Sequence, residues 1–245
     1  MTVTDHLEAL RAMFIRILLI LTTAFIGCLA VSNYVTELLL RPLRHELGDG
    51  GKIIYLSVFD KVVSEFQVAF WTAIIVSAPF WLWQVWKFVR PALTDAEKKM
   101  VRPFVVVGFL LFYAGVLFGN FLVFPFALKT LMNMGVKNVE PALGLKQYLH
   151  LSSSVLVLLG FIFQLPNLII ILGTLGIVNR RILSELRRYA YVGFGIFAMV
   201  VTPTTDAITM MLLWVPLVVL FEIGAIALVL FVRAPLKQGE NLCSE

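Results

Sequence analysis

The chain has 245 residues, 60% of them hydrophobic and 14% charged, with a mean hydropathy of +0.93 and a formal net charge of +5. A soluble domain is nearer half apolar and a quarter charged, so this composition excludes an ordinary soluble protein and indicates an integral membrane protein. No polar block is long enough for a second domain, so residues 1–245 read as a single all-α membrane domain, and the excess of Lys and Arg bears on orientation rather than on nucleic acid.

At the N-terminus, Arg11 and Arg16 precede an apolar run from Ile17 to Val31. A cleavable signal usually has a shorter apolar core, and here the apolar character reaches back to Ala12, so an uncleaved first span over 12–35 is expected. In the segment that follows, Tyr55, Phe59, Val62, Val63 and Phe66 recur at helical spacing with Asp60, Lys61 and Ser64 between them. Two readings are open: an amphipathic helix lying on the outer face, or an early start of the second span.

Further spans are expected at 66–89, 103–128, 151–178, 189–203 and 207–232, six in all. The fifth is short. Its apolar core, Tyr189 to Val201, covers roughly 20 Å at ~1.5 Å per residue, against a hydrocarbon core of ~30 Å. It either stops partway or thins the bilayer, and the turn Thr202-Pro203-Thr204-Thr205-Asp206 makes it a hairpin with the last span.

Six spans leave both termini on one side. With that side cytoplasmic, the internal segments 1–16, 90–102, 179–188 and 233–245 hold twelve Lys and Arg, against seven in the external segments. Arg180, Arg181, Arg187 and Arg188 crowd into ten residues, and the positive-inside rule makes the termini cytoplasmic. Pro79, Pro125, Pro166 and Pro216 fall inside four spans; each removes a backbone donor and favours kinks, hence a curved wall. Gly115-x-x-x-Gly119 would let a second helix approach closely.

Polar side chains inside apolar spans are functional candidates. Glu222 lies in "LFEIGAIAL" and Gln164 in "FIFQLPNLI", both near mid-span. For each, hydrogen bonding within the chain and docking of a partner helix are equally open. No second ionisable residue accompanies Glu222 at its depth in the sequence, which weighs against a proton relay. Asp206 reads as the N-cap of the last helix. Glu97 closes a capping box, Thr94-Asp95-Ala96-Glu97, at the start of span three. A carboxylate on a rigid helix start also suits a guanidinium bound through two parallel hydrogen bonds.

The stretch "QVWKFVRPALTDAEKK" resembles the first cytoplasmic loop of the TatC family, the receptor subunit of the twin-arginine protein translocase. Gln84, Trp86, Phe88, Pro91, Ala92, Leu93 and Glu97 match its pattern. "HLEALR", "TPTTD" and "VPLVVLFEIG" resemble, in the right order, the family's N-terminal segment, the turn before its last span and its final helix. The resemblance implies six helices in a kinked, concave arrangement with the fifth and sixth short and both termini cytoplasmic, in a cell inner membrane. It implies that Glu97 holds an arginine of a twin-arginine signal peptide. Phe88, Pro91 and Leu93 would shape that patch, and the segment with Glu8 and Arg11 would form its other side. Pro42, Phe59 and Asp206 would belong to an external cap, and Gln164 and Glu222 would serve partner docking. The implied partners are single-span TatA or TatB subunits, signal peptides and membrane lipid, in a hetero-oligomer of several copies that exports folded proteins on the proton-motive force.

Three positions depart from the family pattern. The acid of the N-terminal segment is Glu8, with Ala9 in its usual place, which on a helix turns the carboxylate by ~100°. Gln164 stands where glutamate is common, and Asn120 where tyrosine is expected. The chain carries no G-x-x-x-x-G-K and no H-E-x-x-H motif, and His6, His45 and His150 are scattered. Cys28 and Cys243 are expected at different depths, so neither a disulfide nor a metal site is expected. No cofactor and no enzymatic activity are therefore anticipated. The alternative function is a small secondary transporter whose substrate path is lined by Glu222.

Overall fold

The computed structural model describes residues 3–47, 52–54, 57–92, 95–133, 142–202 and 207–231. The first helix, α1, runs unbroken from Val3 to Leu47. At ~1.5 Å per residue its 45 residues extend well beyond a bilayer core, so the expected span 12–35 is only its middle. Pro42 sits inside this helix without ending it, and Tyr148 donates from its hydroxyl to the Leu39 carbonyl at 3.0 Å, tying the far end of α1 down.

The second span is two helices, α2 (Asp60–Val76) and α3 (Ala78–Val89), bent by 52° at Ser77. Of the two readings left open for the outer segment, the early start is found: α2 begins at Asp60 and continues into the span. The bend follows from Pro79, which has no N–H to give the preceding turn. Donors come from elsewhere: Trp81 Nε1 to the Ile74 carbonyl and Tyr113 Oη to the Ile75 carbonyl, each at 3.1 Å. A 3-10 turn at Arg90–Ala92 closes α3.

The third span is α4 (Asp95–Phe118), a π-helical turn (Gly119–Val123) and α5 (Phe124–Asn133). In the π-turn the Phe124 N–H reaches back to the Gly119 carbonyl, immediately before Pro125, which could not have continued an α-helical ladder. The fourth span breaks likewise before Pro166, into α6 (Leu145–Ile162) and α7 (Leu165–Thr174). Gly176, with φ of 73°, then turns the chain in a left-handed conformation that only glycine adopts freely.

The last two helices are α8 (Arg180–Val201) and α9 (Ala207–Phe231). The helix that carries the expected 189–203 span starts nine residues before it, because the basic segment is itself helical, capped by Asn179 Oδ1 accepting from the Ile182 N–H at 2.9 Å. One expectation is corrected here. The sixth is not short: α9 has 25 residues and runs straight through Pro216. Of the four prolines expected to kink, three lie at breaks or irregular turns and Pro216 does not.

An all-α class also omits one feature. Lys52–Ile54 (β1) and Ala142–Gly144 (β2) pair as a short parallel ladder in the register Lys52↔Ala142, joining the α1–α2 and α5–α6 connections.

α6 is the centre of the fold, with α2 and α4 packed on it. Phe112, Leu149 and Leu159 are fully buried there. The Gly115-x-x-x-Gly119 stripe makes the expected close approach: a Cβ on Gly115 would stand 2.7 Å from the Leu159 carbonyl oxygen, and one on Gly119 2.7 Å from Leu156. α8 is an edge element packed chiefly on α9, and it turns Tyr189, Val192, Ile196 and Val200 outward.

Candidate functional site

The first-loop residues sit at one end of the molecule. Ile17 and Leu21 of α1 pack with Ala78 and Trp81 of α3. Because α1 and α3 run in opposite directions, the turns of α1 that carry Glu8 and Arg11 lie toward the same end as Phe88 and Pro91. Trp86 and Val89 in turn contact Val105 of α4 and Leu175 after α7. The α3–α4 turn, the α7–α8 turn and the start of α1 therefore share an end, and the β1–β2 ladder marks the other.

Within this end, Phe88 is half-buried, while Pro91, Glu8 and Arg11 are exposed. Glu97 falls in the first turn of α4, the place its capping-box spacing assigned. Leu93 and Thr94 lie outside the described residues. Of the expected external cap, Pro42 is half-buried in α1 and Phe59 is exposed at the start of α2; Asp206 lies outside the described residues. Beside Phe59, Asp60 is buried. It accepts from the Ser57 N–H at 2.8 Å and faces Lys146 Nζ at 3.6 Å, clamping α2 to α6.

The two intramembrane candidates are both engaged inside the chain. Gln164, at the α6–α7 break, donates from Nε2 to the Gly108 carbonyl of α4 at 2.6 Å and accepts from Asn167 Nδ2 at 3.3 Å. Gly108 has no side chain to obstruct that amide: a Cβ there would stand 2.7 Å from Asn167 Nδ2.

Glu222 is less isolated than its surroundings in the sequence suggested. Arg187 Nη2 donates to its Oε2 at 2.8 Å, and the Tyr191 hydroxyl donates to its Oε1. Trp214 Nε1 donates to the Tyr191 carbonyl at 2.9 Å, so three polar links stitch α8 to α9. The expectation that no ionisable partner shares its depth is thereby corrected. Arg187, in the internal segment 179–188, lies on α8 one turn before Tyr191 and opposite Glu222. The signal was the i, i+4 spacing of Arg187 and Tyr191 on one helical face. Cys28 is a buried free thiol within α1, and Cys243 is outside the described residues. Among the described residues no cluster of His, Cys, Asp and Glu has the makings of a metal site.

Among the described residues four helical stretches are long and apolar enough to cross a membrane, and the bent α2–α3 pair makes a fifth. This is a polytopic helical membrane protein whose polar groups serve helix packing and one exposed end.

The comparisons make that class specific. The family model described as "Sec-independent protein translocase protein (TatC)" matches residues 5–216. Curated relatives of that name include those of Carboxydothermus hydrogenoformans, 31% identical over 98% of both chains, and Escherichia coli K12, 32% identical over 96% of this chain and 90% of its own. The crystal structure of a twin-arginine translocase receptor, TatC, superposes with a TM-score of 0.81 at 27% identity, covering 93% of this chain and all of that one. The chain belongs to the TatC family and is a protein-translocase component, a transport subunit in a multi-pass membrane setting.

Proposed function

We propose that the chain is the receptor for twin-arginine signal peptides and the assembly platform of a translocase that exports folded proteins. The observation that carries this reading is the shared end of the fold: the first turn of α4 with Glu97, the end of α3 with Phe88 and Pro91, and the opening of α1 with Glu8 and Arg11. A carboxylate held on a helix start can take a guanidinium through two parallel, charge-assisted hydrogen bonds, which an ammonium cannot reproduce. The solved relative is itself described as a twin-arginine translocase receptor, which supports the same assignment here.

In this reading the single membrane domain crosses the inner membrane six times, with α8 as the short fifth crossing. Both termini and the Glu97 loop face the cytoplasm, where newly made cargo is found. Partners are single-span TatA or TatB subunits, docking near Gln164 and the α8–α9 hairpin, in a hetero-oligomer. Leu93 completes the apolar patch, and Pro42, Phe59 and Asp206 belong to the external cap. The chain performs no catalysis and needs no cofactor; the proton-motive force supplies the energy. The transporter alternative loses its footing, because Glu222 is already held by Arg187 and Tyr191.

The test is binding of a twin-arginine signal peptide to the protein in nanodiscs. Glu97→Ala should weaken binding about 10- to 100-fold, the range for a lost charge-assisted pair, and a twin-lysine peptide should lose a similar amount on the unaltered protein. Equal binding of both peptides, or an unaffected Glu97→Ala chain, would overturn the assignment.

A further inference from the structure

The α8–α9 hairpin has a second feature that its polar stitching does not use. On α8, Arg180, Leu183, Ser184 and Arg187 fall at i, i+3, i+4 and i+7, one stripe of the helix. On α9, Ala225, Ile226, Val229 and Leu230 form the facing stripe. Between them runs an open groove of about 330 Å³ lined by these eight residues.

The two walls disagree about where the membrane ends. On α8 the apolar run begins only at Tyr189. On α9, Glu222 pairs with Arg187, yet Ile223 to Phe231 carries on without one charged residue. For roughly 13 Å of helix, at ~1.5 Å per residue, an apolar wall therefore faces a cationic one at the same depth. Ile226 is 56% and Leu230 70% exposed, so the apolar wall has no protein cover among the described residues.

The charges are not all spent. Arg181 pairs with Glu185, Arg187 with Glu222, and Arg188 donates to the Tyr189 hydroxyl. Among the described residues Arg180 has no anionic partner, and it lines the groove. The two carboxylates beside the groove, Glu185 and Glu222, are paired with Arg181 and Arg187, so Arg180 is the guanidinium left for an outside anion.

We propose that this groove binds an anionic phospholipid, its phosphate held by Arg180 and one acyl chain laid along Ile226, Val229 and Leu230. Each wall excludes a simpler occupant. A soluble anion has no use for the apolar wall, and an apolar partner helix would leave a guanidinium unpaired beside it. The junction between a phosphate headgroup and its acyl chain matches both, and basic pockets between membrane helices suit anionic headgroups for this reason. The lipid would cover the apolar end of α9 where α8 becomes too polar to do so.

The test uses the full-length protein in mixed vesicles with phosphatidylglycerol carrying a photoreactive acyl chain, reading which peptide is labelled. Labelling should concentrate on the end of α9 between Ile226 and Leu230. Arg180→Gln should lower it about tenfold, the expected loss for one charge-assisted contact, and Arg181→Gln, already paired outside the groove, should leave it unchanged. Should Arg180→Gln reduce the amount of folded protein, Ser184→Glu, which places an anion in the groove, should give the same loss. Equal labelling by a phosphatidylcholine analogue, or an equal loss in Arg181→Gln, would overturn the proposal. So would displacement by millimolar inorganic phosphate, which would mark a soluble-anion site.

Discussion

The α4–α6 contact and the α8–α9 contact join helices by opposite means. Between α4 and α6 the helices meet through missing side chains: Gly115 and Gly119 admit Leu159 and Leu156, and Gly160 receives the ring of Phe112, which stands edge-on to Trp81 with centroids 5.5 Å apart. Between α8 and α9 the polar links from Arg187, Tyr191 and Trp214 hold a helix whose outer face is open. In lipid there is little hydrophobic drive to press helices together, so close packing and interhelical hydrogen bonds are the two available adhesives. The centre uses the first and the edge adds the second. The centre should therefore fail on added volume, and the edge on lost donors and acceptors.

The largest effect should come from adding bulk at the centre. In Gly115→Val even the first added carbon would stand 2.7 Å from a backbone oxygen, which cannot swing aside as a side chain can. Overpacking costs about 1–3 kcal/mol and sometimes more, and this case belongs at the upper end. The measurement is the melting temperature of purified protein beside that of Gly193→Ala. A Cβ at Gly193, on α8, meets nothing within 4 Å. There a helical alanine should be neutral or stabilise by up to about 1 kcal/mol. If both substitutions cost the same, the contrast between packed centre and open edge is wrong.

At the edge, Glu222→Leu removes the acceptor of two side chains. Arg187 is about half exposed and can turn to water, so the loss should be about 1–2 kcal/mol rather than that of a buried pair. A double-mutant cycle with Tyr191→Phe separates the hydroxyl's share, the two losses together being smaller than their sum. Additivity of the two substitutions would mean that the contact contributes nothing.

These two regions were not equally legible in the sequence. Gly115-x-x-x-Gly119 announced a close approach because spacing on one helix determines a face, and the structure supplies α6 as the partner. Pro79 and Pro166 announced breaks because proline acts locally, whatever surrounds it. The β1–β2 ladder was hidden, since three-residue strands more than 80 positions apart leave no periodic trace. Glu222 was visible as an oddity, but its partners were not. Which face of α8 meets α9 is settled by packing, and Arg187 stands outside the apolar run that begins at Tyr189. At the first-loop end, pattern matching singles out Glu97, Phe88 and Pro91, and helix direction puts the turns of α1 with Glu8 and Arg11 toward the same end.

Gln164 lies between the two regimes, since it bonds a polar side chain to the glycine-lined face of α4, and its effects should be the smallest. Gln164→Leu loses the bond to the Gly108 carbonyl, about 1 kcal/mol. If the residue also docks a partner helix, co-purification of a TatA- or TatB-type subunit should fall by more than the protein's own abundance does. Parallel losses would mean that Gln164 only joins helices within the chain. Gln164→Glu is the sharper probe: the Gly108 carbonyl can only accept, so an ionised carboxylate in that place cannot make the bond. Its melting temperature should fall at least as far as that of Gln164→Leu. A melting temperature equal to that of the unaltered protein would show that the amide's link to Gly108 does not hold the break in place.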